Sequence, residues 1–199
     1  IFFTSSIFFY LILKNRFYNN KIIILGLLLY ITSPRIFGDS FYNNKDIVFL
    51  SLVTINVYFF FKIVDTLNFK NLAYLSFFSA IACSTRIVGI FIPLSFLFFL
   101  FLSKVNSKKS LLEILKIIIF FSFFFFFFFF FFWPYLWSDP FLNLIYSFKI
   151  FSEYPANFKM LFNGQYIDSR FLPLSYVPVW IAITTPFISL LLSIFGCLL

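Results

Sequence analysis

The sequence of 199 residues contains no histidine, and only 11% of its residues are charged. Without histidine, these residues cannot form a Ser-His-Asp triad, a His-ligated zinc site or a haem site with its usual ligand. The sequence also contains no glycine-rich loop of the kind that binds phosphate. Charged residues make up about a quarter of an ordinary soluble domain, so the shortage of charge excludes a soluble protein.

Cysteine is scarce as well, because the chain has only two. Cys83 and Cys197 both lie in apolar runs, where a buried thiol is usually inert, so neither a disulfide nor a metal site is expected. Acids are outnumbered by bases, and the formal net charge is +8. In a membrane chain that excess is first a topology signal and then an indication of contact with membrane lipids, and nucleic acid is not an expected partner.

Long apolar runs are abundant: 62% of the residues are hydrophobic, and the mean hydropathy is +1.02. We therefore predict an all-α, polytopic integral membrane bundle that forms a single transmembrane domain over residues 1–199. Apolar residues reach both ends of the sequence, which indicates a piece truncated at both ends. The predicted spans are residues 1–13, 22–37, 47–64, 72–85, 87–102, 111–133 and 177–199, with a long outer loop at 134–176. The phenylalanine run at 123–132 is expected to be a lipid-facing helix surface.

Basic residues orient these spans, because short loops rich in Lys and Arg stay on the cytoplasmic side. The inner side then holds the bases Lys14, Arg16, Lys21, Lys62, Lys70, Lys104, Lys108, Lys109 and Lys116 and the acids Asp65 and Glu113. The outer side holds the bases Arg35, Lys45, Arg86, Lys149, Lys159 and Arg170 and the acids Asp39, Asp46, Asp139, Glu153 and Asp168.

Arg86 separates two apolar runs that are each shorter than an ordinary span. Merged, they would make one helix of roughly 46 Å with an arginine at its middle, which is too long and costly in hydrocarbon. We therefore predict a hairpin of two short helices with Arg86 near the outer surface. An arginine placed there usually borders a wet cavity, so Arg86 is a candidate to bind an anion.

The outer loop, residues 134–176, alternates aromatic and polar residues. Its start, Trp133–Trp137, is typical of an interfacial aromatic belt. Residues 141–151 place apolar side chains at helical spacing, which predicts a helix that lies along the membrane surface.

The stretch Ser33–Asp46 packs acids, bases and helix breakers between two apolar runs, so we interpret it as a polar loop at the membrane that carries part of an active site. Asp46 and Asp39 are its candidate catalytic acids. Asp46 stands directly before an apolar helix, where it could instead be a simple helix cap.

Four segments together resemble the bacterial relatives of the dolichyl-phosphate-mannose protein mannosyltransferases, which are glycosyltransferases of family 39 in the GT-C superfamily. The resemblance covers nearly the whole chain. The segments are Ser33–Asp46, Ser84–Ile90, Trp133–Pro140 and Leu172–Pro186.

The resemblance implies an enzyme that moves a sugar from a polyprenyl-phosphate donor to a protein or glycan acceptor on the outer face of the bacterial cytoplasmic membrane. In that superfamily one acid lies in the first outer loop and another where the next helix begins. Asp46 matches the second position, and the first would precede Ile1. Asp39 occupies a position where relatives are expected to carry a His or another polar residue.

Glycosyl transfer needs a carboxylate to activate the acceptor hydroxyl, or to hold a metal, and a cation to stabilise the departing phosphate. The cofactor is left open, with a divalent cation as one option. Arg86, Arg35 and Lys45 are the candidates for the donor phosphate, although Arg35 and Lys45 are as readily explained by contact with lipid headgroups. The acceptor-side candidates are Glu153, Asp168 and Arg170, although a solvated loop explains each of them more readily.

Two other functions stay open. The first is a polytopic transporter or a flippase for lipid-linked sugars, which would also use charges and interfacial aromatics. Such proteins tend to show internal repeats and charges near the midplane of the membrane, and we find neither. The second is a non-catalytic fragment.

Overall fold

The computed structural model describes residues 1–106, 111–153 and 158–198. Three parts of the predicted topology lie outside the described residues. They are the inner-side positions Lys108 and Lys109, residues 154–157 of the outer loop, and Leu199 at the end of the final span.

The described chain is almost entirely α-helical, with one two-stranded antiparallel hairpin. Its helices are α1 (Phe2–Arg16), α2 (Asn20–Thr32), α3 (Pro34–Tyr42), α4 (Asp46–Asp65), α5 (Phe69–Thr85), α6 (Phe91–Asn106), α7 (Leu111–Phe132), α8 (Pro140–Ser152), α9 (Tyr176–Thr184) and α10 (Phe187–Leu198). The strands are β1 (Lys159–Phe162) and β2 (Gln165–Asp168).

Two helices, α4 and α7, are long and apolar enough to cross a membrane. The bent pairs α2–α3 and α9–α10 bring the candidates among the described residues to four if each pair is one span. The helices α1, α5 and α6 have 15, 17 and 16 residues. They are therefore shorter than the about 20 residues that ordinarily cross the hydrocarbon core.

The polar stretch at 33–46 is mostly helix rather than loop, because α3 covers Pro34–Tyr42. The chain bends by 50° between α2 and α3, so the predicted span at 22–37 is interrupted. Pro34 explains the break, since proline disfavours helical geometry in the residue before it while fitting the first turn of a new helix. Ser33 accordingly has ψ of 119°.

The predicted span at 177–199 is also interrupted, because α9 and α10 meet at an angle of 117°. Pro186 follows Thr185, which has extended backbone angles and ends α9. Proline again disfavours a helical conformation in the residue before it, so two helices rather than one cover the predicted span.

The all-α prediction misses the β1–β2 hairpin in the outer segment. Its turn is Asn163-Gly164, and both residues have positive φ, 50° and 77°. An Asn-Gly pair between apolar runs is the strongest short-range signal for a tight hairpin. The sequence therefore contains the local signal for this hairpin, within a segment whose aromatic pattern predicts an interfacial helix and loop.

Ring contacts show the directions of the first helices. Phe8 of α1 packs against Tyr58 of α4 with ring centroids 5.1 Å apart. Arg16, at the end of α1, lies 3.9 Å from Asp65 at the end of α4. The helices α1 and α4 therefore run in the same direction, as expected if both pass from the outer to the inner side.

The helices α5 and α7 run parallel to each other and in the direction opposite to α1 and α4. Phe69 packs against Phe120 and Phe77 against Phe128, each pair with ring centroids 5.0 Å apart. The Ser76 hydroxyl, which is fully buried, donates to the carbonyl oxygen of Phe121 across the same interface at 3.2 Å. Hydrogen bonds of this kind join helices where apolar surroundings offer no water.

The phenylalanine run of α7 is only partly a lipid-facing surface. Phe121, Phe125 and Phe129 recur every fourth residue and are buried in the core. Others on the helix, such as Phe123 and Phe127, are more than half exposed. Residues four apart share one helix face, so a uniform sequence still presents one side to the protein and the other to its surroundings.

Candidate active site

Asp46 is the first residue of α4, and its carboxylate interacts with other side chains. The Asn43 side-chain amide donates a hydrogen bond of 2.8 Å to Asp46 Oδ2. The backbone N–H of Asp46 in turn donates to Asn43 Oδ1 at 3.1 Å. Asn43, rather than the carboxylate, therefore satisfies a free amide at this helix start. The negative charge is also favoured by the positive end of the helix dipole.

Arg86 lies at the break between α5 and the short 3₁₀ turn Ile87–Ile90 that leads into α6. Its backbone is extended, with φ −145° and ψ 131°, and its N–H donates to the carbonyl of Ala82 at 3.0 Å. The Arg86 carbonyl accepts from the N–H of Gly89 at 2.7 Å. The chain therefore does break at Arg86, and the arginine is held at the mouth of the turn by its own backbone bonds.

Asp46 and Arg86 form an ion pair between Oδ1 and Nη2. The Asp46 side chain is 53% exposed and that of Arg86 is 42% exposed, so both groups are accessible from outside the protein. Partial exposure keeps the net contribution of such a pair to stability small. A carboxylate, which can accept a proton, and a guanidinium group, which can bind an anion, therefore lie side by side at one end of α4.

The other charged residues of the 33–46 stretch are placed differently. Arg35 Nη1 donates to Thr184 Oγ1 at 3.3 Å and so connects α3 to the end of α9. Within the described chain, the side chains of Asp39 and Lys45 make no hydrogen bond or ion pair. Asp39 is half-buried and Lys45 is exposed. The structure thus brings Asp46 and Arg86 together and leaves the other three outside that pair.

The predicted acceptor-side residues lie in the segment after α7. Asp168 ends β2, and its Oδ1 accepts a hydrogen bond of 2.9 Å from the backbone N–H of Arg170, which stabilises a local turn. Glu153 directly follows α8 and is exposed. Across residues 1–106, 111–153 and 158–198, no hydrogen bond or ion pair links these three residues to Asp46 or Arg86.

The aromatic segment after α7, Trp133–Trp137, and the helix α8 that follows it pack against the turn that carries Arg86. A small cavity of about 90 Å³ lies between them, lined by Ile87 and Ile90 from the turn and by Trp133 and Leu144 from the aromatic segment and α8. The indole of Trp137 donates to the carbonyl of Phe130 at 2.7 Å and stabilises the end of α7. The aromatic segment therefore borders the Arg86 turn.

A larger apolar groove of about 600 Å³, which the sequence did not reveal, runs between α4 and α6. One end is at Phe49 and Val88, close to Asp46 and Arg86 in the chain, and the groove continues along α4 to Phe61. Its polar lining residues are Asn56 and Ser95, and both side chains are already bonded: Asn56 to Ser79 and the Leu52 carbonyl, Ser95 to the Ile92 carbonyl. The groove is therefore suited to a hydrocarbon chain rather than to a polar ligand.

Among the described residues, no group of three or more Asp, Glu or Cys side chains is close enough to hold a metal ion. Asp46 and Asp39 are the acids on α4 and α3 at this end of the bundle.

Comparison with known proteins adds one finding. The family model described as dolichyl-phosphate-mannose-protein mannosyltransferase matches residues 1–133, about two thirds of the chain. That range contains Asp46, Arg86 and the α4–α6 groove, and it ends before Glu153. No curated protein and no solved structure matches the chain. Together with the apolar helices, the match shows that the chain belongs to the dolichyl-phosphate-mannose-protein mannosyltransferase family of membrane glycosyltransferases.

Proposed function

We propose that this chain forms one transmembrane domain of an enzyme that transfers a sugar from a polyprenyl phosphate to a hydroxyl group of a protein or glycan. The reaction takes place at the outer face of the membrane, next to Asp46 and Arg86. The single observation that carries the proposal is the ion pair of these two residues at one end of α4, where the apolar groove begins.

Asp46 acts as the general base in this reaction. The acceptor oxygen attacks the anomeric carbon of the sugar, and its proton passes to the Asp46 carboxylate. The bond between that carbon and the phosphate oxygen breaks, and its electron pair leaves with the phosphate. The products are the glycosylated acceptor and the polyprenyl phosphate, and Asp46 then returns its proton to water.

Arg86 binds the donor phosphate. A guanidinium group offers two parallel N–H donors that match two phosphate oxygens, and it remains charged at any physiological pH. The same group stabilises the negative charge that develops on the departing phosphate. Since the Arg86 side chain is 42% exposed, a phosphate can reach it.

The groove between α4 and α6 holds the polyprenyl chain of the donor. From Phe49 to Phe61 it follows α4 for roughly 18 Å at 1.5 Å per residue. Burial of hydrocarbon provides most of the affinity for such a ligand, while the charged end determines where it stops. A donor bound in this way places its phosphate at Arg86 and its sugar beside Asp46.

The side of the membrane that Asp46 and Arg86 face is inferred from the residues at the opposite end of α4. Asp65 and Arg16 lie there, roughly 30 Å from Asp46 along a helix of 20 residues. Lys14 and Lys62 belong to the same end, and basic segments of this kind stay in the cytoplasm. Asp46 and Arg86 therefore face outward, on the side where lipid-linked donors are used in place of nucleotide sugars.

The decisive experiment compares two matched substitutions in the full-length protein, Asp46→Asn at the proposed site and Asp65→Asn at the other end of the same helix. Each residue belongs to an ion pair, so each change removes one charge from α4. Reconstituted protein receives polyprenyl-phosphate mannose with a labelled sugar and a Ser/Thr-rich acceptor peptide. We expect Asp46→Asn to abolish transfer and Asp65→Asn to retain it.

Retention of wild-type turnover by Asp46→Asn would reject the proposed base. Movement of the donor across the bilayer without any transfer to the peptide would instead support a flippase. Equal expression and equal thermal stability of the two variants exclude a folding defect as the cause of a lost activity.

A further inference from the structure

Asn43 makes two hydrogen bonds with Asp46, and the two bonds have different effects. Its Oδ1 accepts the backbone N–H of Asp46, which helps to start α4. Its Nδ2 donates to Asp46 Oδ2, whereas Arg86 pairs with Oδ1 of the same carboxylate. Each carboxylate oxygen therefore has its own partner, and Asn43 holds the oxygen that Arg86 leaves open.

These two partners respond differently to a bound donor. Arg86 is a cation and is drawn toward a phosphate, because its paired N–H groups match two phosphate oxygens. The amide of Asn43 is neutral, so an added negative charge attracts it far less. As donor binding loosens the bond between Arg86 and Asp46, the bond from Asn43 remains.

We infer that Asn43 is a positioning residue, whose side-chain amide keeps the Asp46 carboxylate aimed at the acceptor hydroxyl when the donor phosphate has drawn Arg86 away. The inference rests on the proposed function, in which Asp46 is the base and Arg86 binds phosphate. Without Asn43 the carboxylate would rotate freely at the helix start during the step in which it takes a proton, and reaction rates are sensitive to such small displacements.

In the described part of the chain, no other neutral side chain is hydrogen-bonded to the Asp46 carboxylate. Arg86, at the start of the turn after α5, is the charged group paired with it, and Lys45 immediately precedes it in sequence. Lys45 is exposed, and its side chain contacts no acid among the described residues. Asn43 is thus the group in place to replace Arg86 as the support of the carboxylate.

The test exploits the chemical difference between the two bonds. Asn43→Asp keeps an oxygen that can accept the Asp46 N–H and removes the donor to Oδ2, whereas Asn43→Ala removes both. Aspartate and asparagine cap helices about equally well, so the Asp46 N–H keeps an acceptor in Asn43→Asp. The added negative charge also repels the Asp46 carboxylate, so this variant loses at least as much activity as Asn43→Ala if the bond to Oδ2 matters. Asn44→Ala is the matched control, because Asn44 is the exposed neighbour and makes no side-chain hydrogen bond within the described residues.

Reconstituted full-length variants are assayed with polyprenyl-phosphate mannose and the acceptor peptide. For Asn43→Ala we expect kcat to fall roughly 10- to 100-fold while the KM for the donor changes little, since loss of a bond to a charged group acts on the reacting geometry rather than on donor binding. We expect Asn43→Asp to lose at least as much kcat, and Asn44→Ala to match the wild type.

Two results would overturn the inference. The first is an Asn43→Asp protein with wild-type kcat, which would reduce Asn43 to a helix cap. The second is a fall in activity that follows thermal stability across all three variants. Neither result touches the proposed function, which fails if Asp46→Asn keeps wild-type turnover or if the donor crosses the bilayer without any transfer, so the two failures can be told apart.

Discussion

Gly89 approaches the backbone of Ala82 so closely that a Cβ at residue 89 would lie 2.6 Å from both the carbonyl carbon and the carbonyl oxygen of Ala82. Gly89 is buried in the 3₁₀ turn after Arg86, and its N–H is bonded to the Arg86 carbonyl. The absence of a side chain therefore lets the turn fold back onto α5. This close packing holds Arg86 at the end of the bundle where Asp46 begins α4.

Gly89→Ala should displace the turn, because the atoms that a methyl group would meet are backbone atoms that cannot rotate away. We expect a loss of about 1–3 kcal/mol of stability, typical of overpacking, and a clear loss of sugar transfer as Arg86 moves. Thermal unfolding in detergent and the transfer assay measure the two effects. Gly196→Ala is the control, since a Cβ there meets nothing within 4 Å. Equal stability of both variants would contradict the tight turn.

Arg86→Lys should weaken donor use while preserving the positive charge. An ammonium group lacks the planar pair of N–H donors, so it binds phosphate less specifically. We expect a higher KM for the polyprenyl-phosphate donor and a lower kcat, with Arg86→Gln more severely affected. The matched control is Arg16→Lys, at the opposite end of α4, which should leave both constants unchanged. A donor KM unaffected in Arg86→Gln would remove Arg86 from the phosphate site.

Val57→Phe should narrow the groove between α4 and α6. Val57 lines that groove near its middle, so a larger side chain would occupy space assigned to the donor's hydrocarbon chain. We expect the KM to rise for donors with long polyprenyl chains and to change little for a donor with a short chain. Val64→Phe, farther along α4 at an exposed position outside the groove, serves as the control. An equal effect on long and short donors would place the chain elsewhere.

Ser79→Ala should destabilise the bundle by about 1 kcal/mol, because it leaves the Asn56 side-chain oxygen without its donor in an apolar interior. The Ser79 hydroxyl is fully buried and donates to Asn56 Oδ1 at 2.8 Å, which joins α5 to α4. Denaturant or thermal unfolding in detergent measures the loss. The exposed Ser95, whose hydroxyl bonds only the Ile92 carbonyl among the described residues, gives the control Ser95→Ala.

The double variant Asn56→Leu with Ser79→Ala tests the same bond by a second route. Removal of both partners leaves no unsatisfied polar group, so the pair should lose less stability than the two single changes added together. Additive losses would show that the Asn56–Ser79 bond contributes nothing of its own.

Features that depend on residues close together in the chain can be predicted from the sequence. The apolar run at 111–133 predicts α7, and the short runs on either side of Arg86 predict the break that the structure has between α5 and the 3₁₀ turn. Two prolines and one Asn-Gly pair are further local signals in the sequence. Proline at 34 and 186 interrupts two predicted spans, and the Asn163-Gly164 turn produces the hairpin.

The sequence by itself determined that the protein is helical and apolar enough for a membrane, and it singled out Asp46 and Arg86 as candidates. Only the tertiary structure decided that these two residues meet, while Arg35 bonds Thr184 and the side chains of Asp39 and Lys45 stand apart from the pair. The physical reason is that helix formation depends on periodicity within a few turns of the chain. Contacts between distant helices, such as Asn56–Ser79 or the groove along α4, depend instead on how whole side-chain surfaces fit together.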